Sequence, residues 1–326
     1  MARKELIAKI EELSKCRLIC YVTGDRKGQE AQIGEDSLPP LYEHLAAIGK
    51  VEKIAFFIYT RGGHTLTGFA MANAFREFAK EVDILIPFRA HSCGTLISLS
   101  GSRINMGPFG QLSPIDPSIT TPHGPSIQHE GQVQFIPVSV EDVANYFALA
   151  RSEAKVSEEK MNEVFSRLSE RVNPLALGAV YRAREQIGML AKKLLKRHLN
   201  DENRIEKIVN SLTRQLLSHD YVIGRSEAKE LGLPIEDPSE EMSGLMWQLY
   251  QDFAEELKLS HPWIPETELG TQQSVKKVNC RAVIESREKK HGYCSSYEMK
   301  RTSITKDGVK YDAVQTKTVD DSWKPF

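Results

Sequence analysis

Two short stretches hold the residue types that acyl-transfer chemistry needs. The first, Tyr59-Thr60-Arg61-Gly62-Gly63-His64, places two glycines where a βα turn is expected. Without Cβ atoms the pair can adopt positive φ, so backbone N–H groups can be aimed at a ligand beside the next helix. The second, Phe88-Arg89-Ala90-His91-Ser92-Cys93-Gly94-Thr95, sets a serine at the next such turn. Its hydroxyl would stand at a helix N-terminus, where a developing oxyanion is favoured. The turn is similar to a nucleophile elbow, with Ala90 at the place of the first glycine of G-x-S-x-G. Each stretch also has an ordinary reading, a tight turn for Gly62-Gly63 and a helix N-cap for Ser92. Their occurrence in successive βα units favours the chemical one.

The elements around them read as repeated βα units. Apolar runs predict strands over Arg17–Thr23, Lys53–Tyr59 and Val82–Pro87, and helices over Leu38–Ile48, Thr65–Ala79 and Ser92–Ser100. Near-continuous apolar strands mean a buried parallel sheet, and ligands gather beyond the carboxyl ends of such strands. Residues 121–134 read as an exposed loop or hairpin, a candidate lid that carries His123 and His129. Residues 139–217 read as helical, broken at Asn173-Pro174. A short strand and capped helix follow over Val222–Leu233, then a helix over Glu240–Leu257. Beyond His261 the composition turns β-branched and charged, with turn signals at His291-Gly292 and Asp307-Gly308. The expected division is therefore 1–261 and a small β-rich appendage, 262–326.

Composition narrows the function classes. The chain has 326 residues, 40% apolar and 27% charged, and 43 Lys plus Arg balance 44 Asp plus Glu. That is the length of about two domains, with no overall positive field for a nucleic-acid backbone. Arg182, Arg184, Lys192, Lys193, Lys196, Arg197 and His198 make one basic helix, read as a solvated face, a subunit contact or a site for an acidic partner. Five cysteines at irregular spacings (Cys16, Cys20, Cys93, Cys280, Cys294) fit neither a disulfide framework nor a zinc site and point to a reducing compartment. Met1–Lys15 reads as an amphipathic helix rather than a signal peptide, and the apolar runs are strand-sized, so a cytoplasmic protein without a membrane span is expected. Trp263 and Trp323 are candidate anchors of the β-rich segment.

Gly62-Gly63-His64-Thr65-Leu66-Thr67-Gly68, Ala90-His91-Ser92-Cys93-Gly94-Thr95, Met106-Gly107 and Leu112-Ser113-Pro114-Ile115-Asp116-Pro117 together resemble the serine dehydrogenase proteinase family. The likeness extends to His219-Asp220-Tyr221 and Glu227-Ala228-Lys229-Glu230-Leu231-Gly232-Leu233. That family is similar to the Clp-fold serine peptidases, among them signal peptide peptidase A and the Clp proteolytic subunit. The resemblance implies an α/β fold, a ClpP/crotonase-like spiral of ββα units with a helical arm. It implies Ser92 as nucleophile, the N–H groups of Gly63 and Cys93 as oxyanion hole, and Gly62 and His64 against the substrate. Peptide or unfolded protein would be the substrate, in a homo-oligomer, with no cofactor, metal, nucleic acid or membrane partner.

The general base stays open. In the Clp proteolytic subunit the histidine lies on the strand after the nucleophile helix and the aspartate before a late Glu-Ala helix; here those places hold Ile115-Asp116 and His219-Asp220. A permuted set would use His219 as base, oriented by Asp116 or Asp220, which is allowed because triads are defined by geometry. The other candidate is a lysine, Lys155 or Lys160, as signal peptide peptidase A suggests, although Glu153, Glu158 and Glu159 surround both. No dinucleotide fingerprint, Walker A, HExxH or EF-hand pattern occurs, so nothing supports a dehydrogenase. Two other functions use the same architecture: a crotonase-like acyl-CoA enzyme that needs only the paired N–H groups, and a non-catalytic peptide-binding module.

Overall fold

A computed structural model describes residues 2–115, 118–129, 132–215, 218, 220–306 and 309–326. The chain divides into two compact units, Met1–Leu112 with Gly224–Phe326, and Ser113–Ile223.

In the first unit the sequence runs α1 (Arg3–Ser14), β1 (Arg17–Thr23), α2 (Leu38–Ile48), β2 (Val51–Tyr59), α3 (Thr65–Phe78), β3 (Ala79–Ile86), β4 (Arg89–Ala90), α4 (Cys93–Ser98), β5 (Arg103–Met106) and β6 (Gln111–Leu112). β1, β2, β3 and β5 are parallel neighbours, as the apolar runs require: Leu18–Val22, Ile54–Tyr59 and Val82–Ile86 are buried throughout. Parallel strands sealed on both faces read as near-continuous apolar runs; Asp83 interrupts the third and is paired with Lys53 at 2.7 Å and Arg103 at 3.2 Å. The short strand β4 pairs with β6 in a separate parallel ladder.

The second unit holds β7 (Ser118–Ile119), β8 (Ser126–His129), β9 (Gln132–Phe135), β10 (Val138–Ser139), α5 (Val140–Ser152), α6 (Met161–Arg171), α7 (Pro174–Leu195) and α8 (Glu202–Asn210). The proposed lid is here a β8–β9 hairpin with Ile127, Val133, Phe135 and Ile136 exposed. Asn173 caps α7 by accepting from Leu175 N at 2.9 Å, and proline follows at N1, where its missing donor costs nothing. Two residues of the basic run are paired within the unit, Lys196 with Glu202 at 2.7 Å and Lys192 with Glu206, and Glu185 of α7 pairs with Arg214 at 2.9 Å.

The chain returns through β11 (Ile223–Gly224), α9 (Arg225–Leu231), β12 (Ile235–Glu236), α10 (Glu240–Glu256), α11 (Pro265–Leu269), β13 (Ser274–Ser286), β14 (Lys290–Lys306) and β15 (Val309–Pro325). α10 buries Met242, Leu245, Met246, Leu249 and Phe253, a stripe at helical spacing, against Leu6, Ile7 and Ile10 of α1 and the inner strands. Arg3 joins α1 to Asp252, Glu256 and, at 2.9 Å, Glu285.

The C-terminal strands extend the main sheet, whose order is β12-β5-β3-β2-β1-β13-β14-β15. β13 lies antiparallel to β1, so the expected boundary at 261/262 does not separate compact units. The turn expected at His291-Gly292 lies earlier, at 287–289, and His291 is inside β14. Asp307-Gly308 lies outside the described residues. Cys280 and Cys294 stand opposite each other in β13 and β14 and form a disulfide. Strand register rather than spacing pairs them, which corrects the reading of all five cysteines as reduced. Trp263 packs on Tyr297, and Trp323 on Tyr21 and Tyr293.

His291 is in β14 because it completes a buried polar chain. His44 of α2 is fully buried, with Nδ1 2.8 Å from Ser286 Oγ and Nε2 3.1 Å from His291 Nδ1. Burial, and next His291, lower His44 from 6.5 to about 4, and burial lowers His291 too. The unfolded chain therefore binds protons the native one refuses between about pH 6.5 and pH 4. Stability is full above that window and falls as pH drops through it. A tenfold difference in proton affinity is about 1.4 kcal/mol, so His44 alone accounts for about 3 kcal/mol. Urea unfolding from pH 7 to pH 4 should show a slope that His44→Asn reduces; equal slopes in the two proteins would refute the assignment.

Candidate active site

Gly62, Gly63 and His64 follow β2, and Ser92 follows β4. The two turns are stitched together by Thr60 N donating to Arg89 O (2.9 Å) and His91 N to Thr60 O (3.1 Å). Thr60 is buried and pins the diglycine loop: its Oγ1 accepts from Thr23 Oγ1 at 2.7 Å and from Gly62 N at 3.0 Å. Neither threonine was legible as part of a site, since a threonine at a strand end is ordinary β chemistry.

Both glycines have positive φ, +122° and +147°. Gly62 lies directly against the serine: a methyl at its Cα would stand 2.8 Å from Ser92 Cβ and 3.2 Å from Ser92 Oγ. Gly63 forms a parallel bridge with Ile33, in which Ile33 N donates to Gly62 O at 2.9 Å and His64 N to Ile33 O at 2.8 Å. In such a bridge the flanking residues make the bonds, so the N–H of Gly63 itself points the other way.

Ser92 stands at the N-cap position of α4, yet its side chain makes no capping bond. Its backbone is at φ 49°, ψ −111°, a sparsely populated region that costs of order 1–3 kcal/mol and is concentrated at functional turns. Half-buried Ser92 is followed by fully buried Cys93. Among the described residues the N–H groups of Gly63 and Cys93 donate no hydrogen bond. They belong to the residues directly after the touching pair, Gly62 and Ser92. Burial pushes the Cys93 thiol up to about 12, and its Sγ donates to His64 O at 3.2 Å. It is a packed thiol, not a thiolate nucleophile.

His64 contributes its backbone while its side chain is exposed. Asp116 and His219 lie outside the described residues. Asp220, in the second unit, is exposed and its N donates to Ser218 Oγ at 3.3 Å. Lys155 and Lys160 are both exposed, without the burial a neutral lysine base requires. Arg61 makes an ion pair with Asp25, 3.0 Å away.

A strained serine between strand and helix, beside backbone amides that have no partner among the described residues, is similar to the nucleophile turn of serine hydrolases. Residues 43–163, which include both turns, match the family model of ClpP-like SDH-type serine proteinases, the group to which the motifs point. Two uncharacterized proteins of Methanocaldococcus jannaschii are also similar. One is 28% identical over 64% of this chain and 62% of its own length. The other is 27% identical over 56% of this chain and 51% of its own length. The chain thus spans about three fifths of the first relative and about half of the second. No helix among the described residues is long and apolar enough to cross a membrane.

Proposed function

We propose that the protein is a serine peptidase that cleaves peptide or unfolded-protein substrates through an acyl-enzyme on Ser92, acting as a homo-oligomer. The observation that carries this reading is the close approach of Gly62 to Ser92 in a strained turn whose neighbouring amides, on Gly63 and Cys93, have no partner among the described residues. Ser92 Oγ adds to the scissile carbonyl while its proton passes to the base, proposed to be His219 oriented by Asp116, with Asp220 the alternative carboxylate. The negative charge that forms on the carbonyl oxygen is received by the N–H groups of Gly63 and Cys93. Collapse breaks the C–N bond and the base returns the proton to the leaving amine. Water, deprotonated by the same base, then releases the acyl group and regenerates the serine.

A fluorophosphonate probe tests this directly, because it reports an activated serine without requiring the substrate to be known. The expected result is one phosphonylated peptide, containing Ser92, in the folded protein and none after unfolding. Labelling at another residue, or none in folded protein, would favour the peptide-binding module and end the peptidase reading.

A further inference from the structure

We propose that the cleft beyond the carboxyl ends of β1 and β2 selects acidic peptide segments, with Arg61 and Arg89 as the clamp for a carboxylate; naming a substrate class, this rests on the peptidase reading. The cleft measures about 1150 Å³ and is lined by Asp25, Tyr59, Arg61, Arg89, Tyr250 and Lys258 among others, all in the first unit. At its centre Asp25 accepts from Tyr59 Oη at 2.8 Å, Arg61 Nε at 3.0 Å and Arg89 Nη1 at 2.7 Å. One carboxylate thus orders two guanidinium groups and leaves positive charge in excess. The only other carboxylates of the lining are Glu268, met by Arg26 at 3.1 Å and Lys277 at 2.6 Å, and Glu255.

The geometry of Arg61 is that of a receptor rather than a closed ion pair. It engages Asp25 through Nε alone, its side chain is 54% exposed, and among the described residues its two terminal nitrogens have no hydrogen-bond partner. Those two nitrogens form the edge of the guanidinium that binds a carboxylate bidentately. Arg89 is held beneath by Asp25 and by the face of Phe88, 4.3 Å from the ring centre.

A peptide fits better than a small free anion because the cationic floor continues into an aromatic wall. Tyr59 and Tyr250 are 5.0 Å apart, Tyr250 and Trp247 5.1 Å, and Trp247 and Phe109 5.7 Å, ending at Phe109, which is 63% exposed. Tyr59 is buried, so apolar side chains flanking a bound carboxylate would lie along the accessible rings of Tyr250, Trp247 and Phe109. Arg61 directly precedes Gly62 in the chain and is the link between this cleft and the diglycine loop, since neither glycine nor Ser92 lines the cleft itself.

The test uses full-length Ser92→Ala protein, so that bound peptide is not consumed, and fluorescent hexapeptides that differ only by Glu or Gln at one central position. At low salt the Glu peptide is expected to bind at least tenfold more tightly, and the preference to shrink with added salt. Arg61→Gln in the same background should erase the preference while leaving the unfolding midpoint unchanged, since that side chain is exposed. Equal binding of the two peptides, or a preference that survives Arg61→Gln, overturns the proposal. So does glutarate competing at concentrations comparable with the peptide, which would mean a small-anion site. Because binding is read without the nucleophile, its failure beside intact fluorophosphonate labelling of wild-type Ser92 sinks this inference alone; the reverse pattern sinks the peptidase reading.

Discussion

Ser92→Ala is expected to lower peptide hydrolysis by at least about a thousandfold and to abolish fluorophosphonate labelling, with little change in stability. Removing the nucleophile of a triad-type site leaves only what the oxyanion donors and binding supply. The adjacent Cys93 cannot take over: it is fully buried and its thiol is held protonated, with a pKa of about 12. Stability should hold because alanine bears the same backbone strain and keeps the backbone bond from Leu96 N to the residue-92 carbonyl. Ser92→Gly sharpens the contrast. At φ 49° glycine relieves that strain, so the protein should be equally inactive yet up to about 1 kcal/mol more stable. Initial rates and urea unfolding of the three proteins are the measurements. Hydrolysis retained within tenfold in Ser92→Ala would remove the serine from the chemistry, and retained turnover of an acyl-CoA thioester would favour the crotonase-like alternative.

How much of this was legible depended on whether an element's cause was local. β1 and α2 fall on the expected residues, Arg17–Thr23 and Leu38–Ile48, because an apolar run fixes the strand and a proline pair in the first turn with Gly49 at φ +73° fixes the helix. The two turns of the site were legible for the same reason, glycines and a serine being unusual where strand meets helix. What was hidden is what pairing across distance decides. His291-Gly292 has turn composition, but burial against His44 holds it in β14. Cys280 and Cys294 are matched by register. The pinning of the loop by Thr23 and Thr60, and the gathering of Arg61 and Arg89 on Asp25, require β1, β2 and β4 to lie side by side.

Among the described glycines, Gly63→Ala should be the most damaging alanine substitution. The added Cβ would stand 2.3 Å from Ile33 O, 2.4 Å from Ile33 N and 2.8 Å from Ile33 Cα. These are backbone atoms, which cannot rotate aside as a side chain would. The φ of +147° is itself one that L-residues rarely adopt. Relief requires the Ile33–Gly63 bridge to part, with loss of the bonds from Ile33 N to Gly62 O and from His64 N to Ile33 O. Two buried hydrogen bonds and the strain together amount to roughly 3 kcal/mol or more. The same displacement carries the residue-63 N–H away from Ser92, and loss of one oxyanion donor costs about a hundredfold or more in rate. Gly49→Ala provides the control, since it has positive φ with nothing within 4 Å of the new methyl; it should cost about 1–3 kcal/mol of backbone strain and leave the rate unchanged. Measured by urea unfolding and by the rate of fluorophosphonate labelling, the two variants separate backbone strain from loop position. A Gly63→Ala protein that labels within threefold of the wild-type rate would show that this loop does not hold the oxyanion.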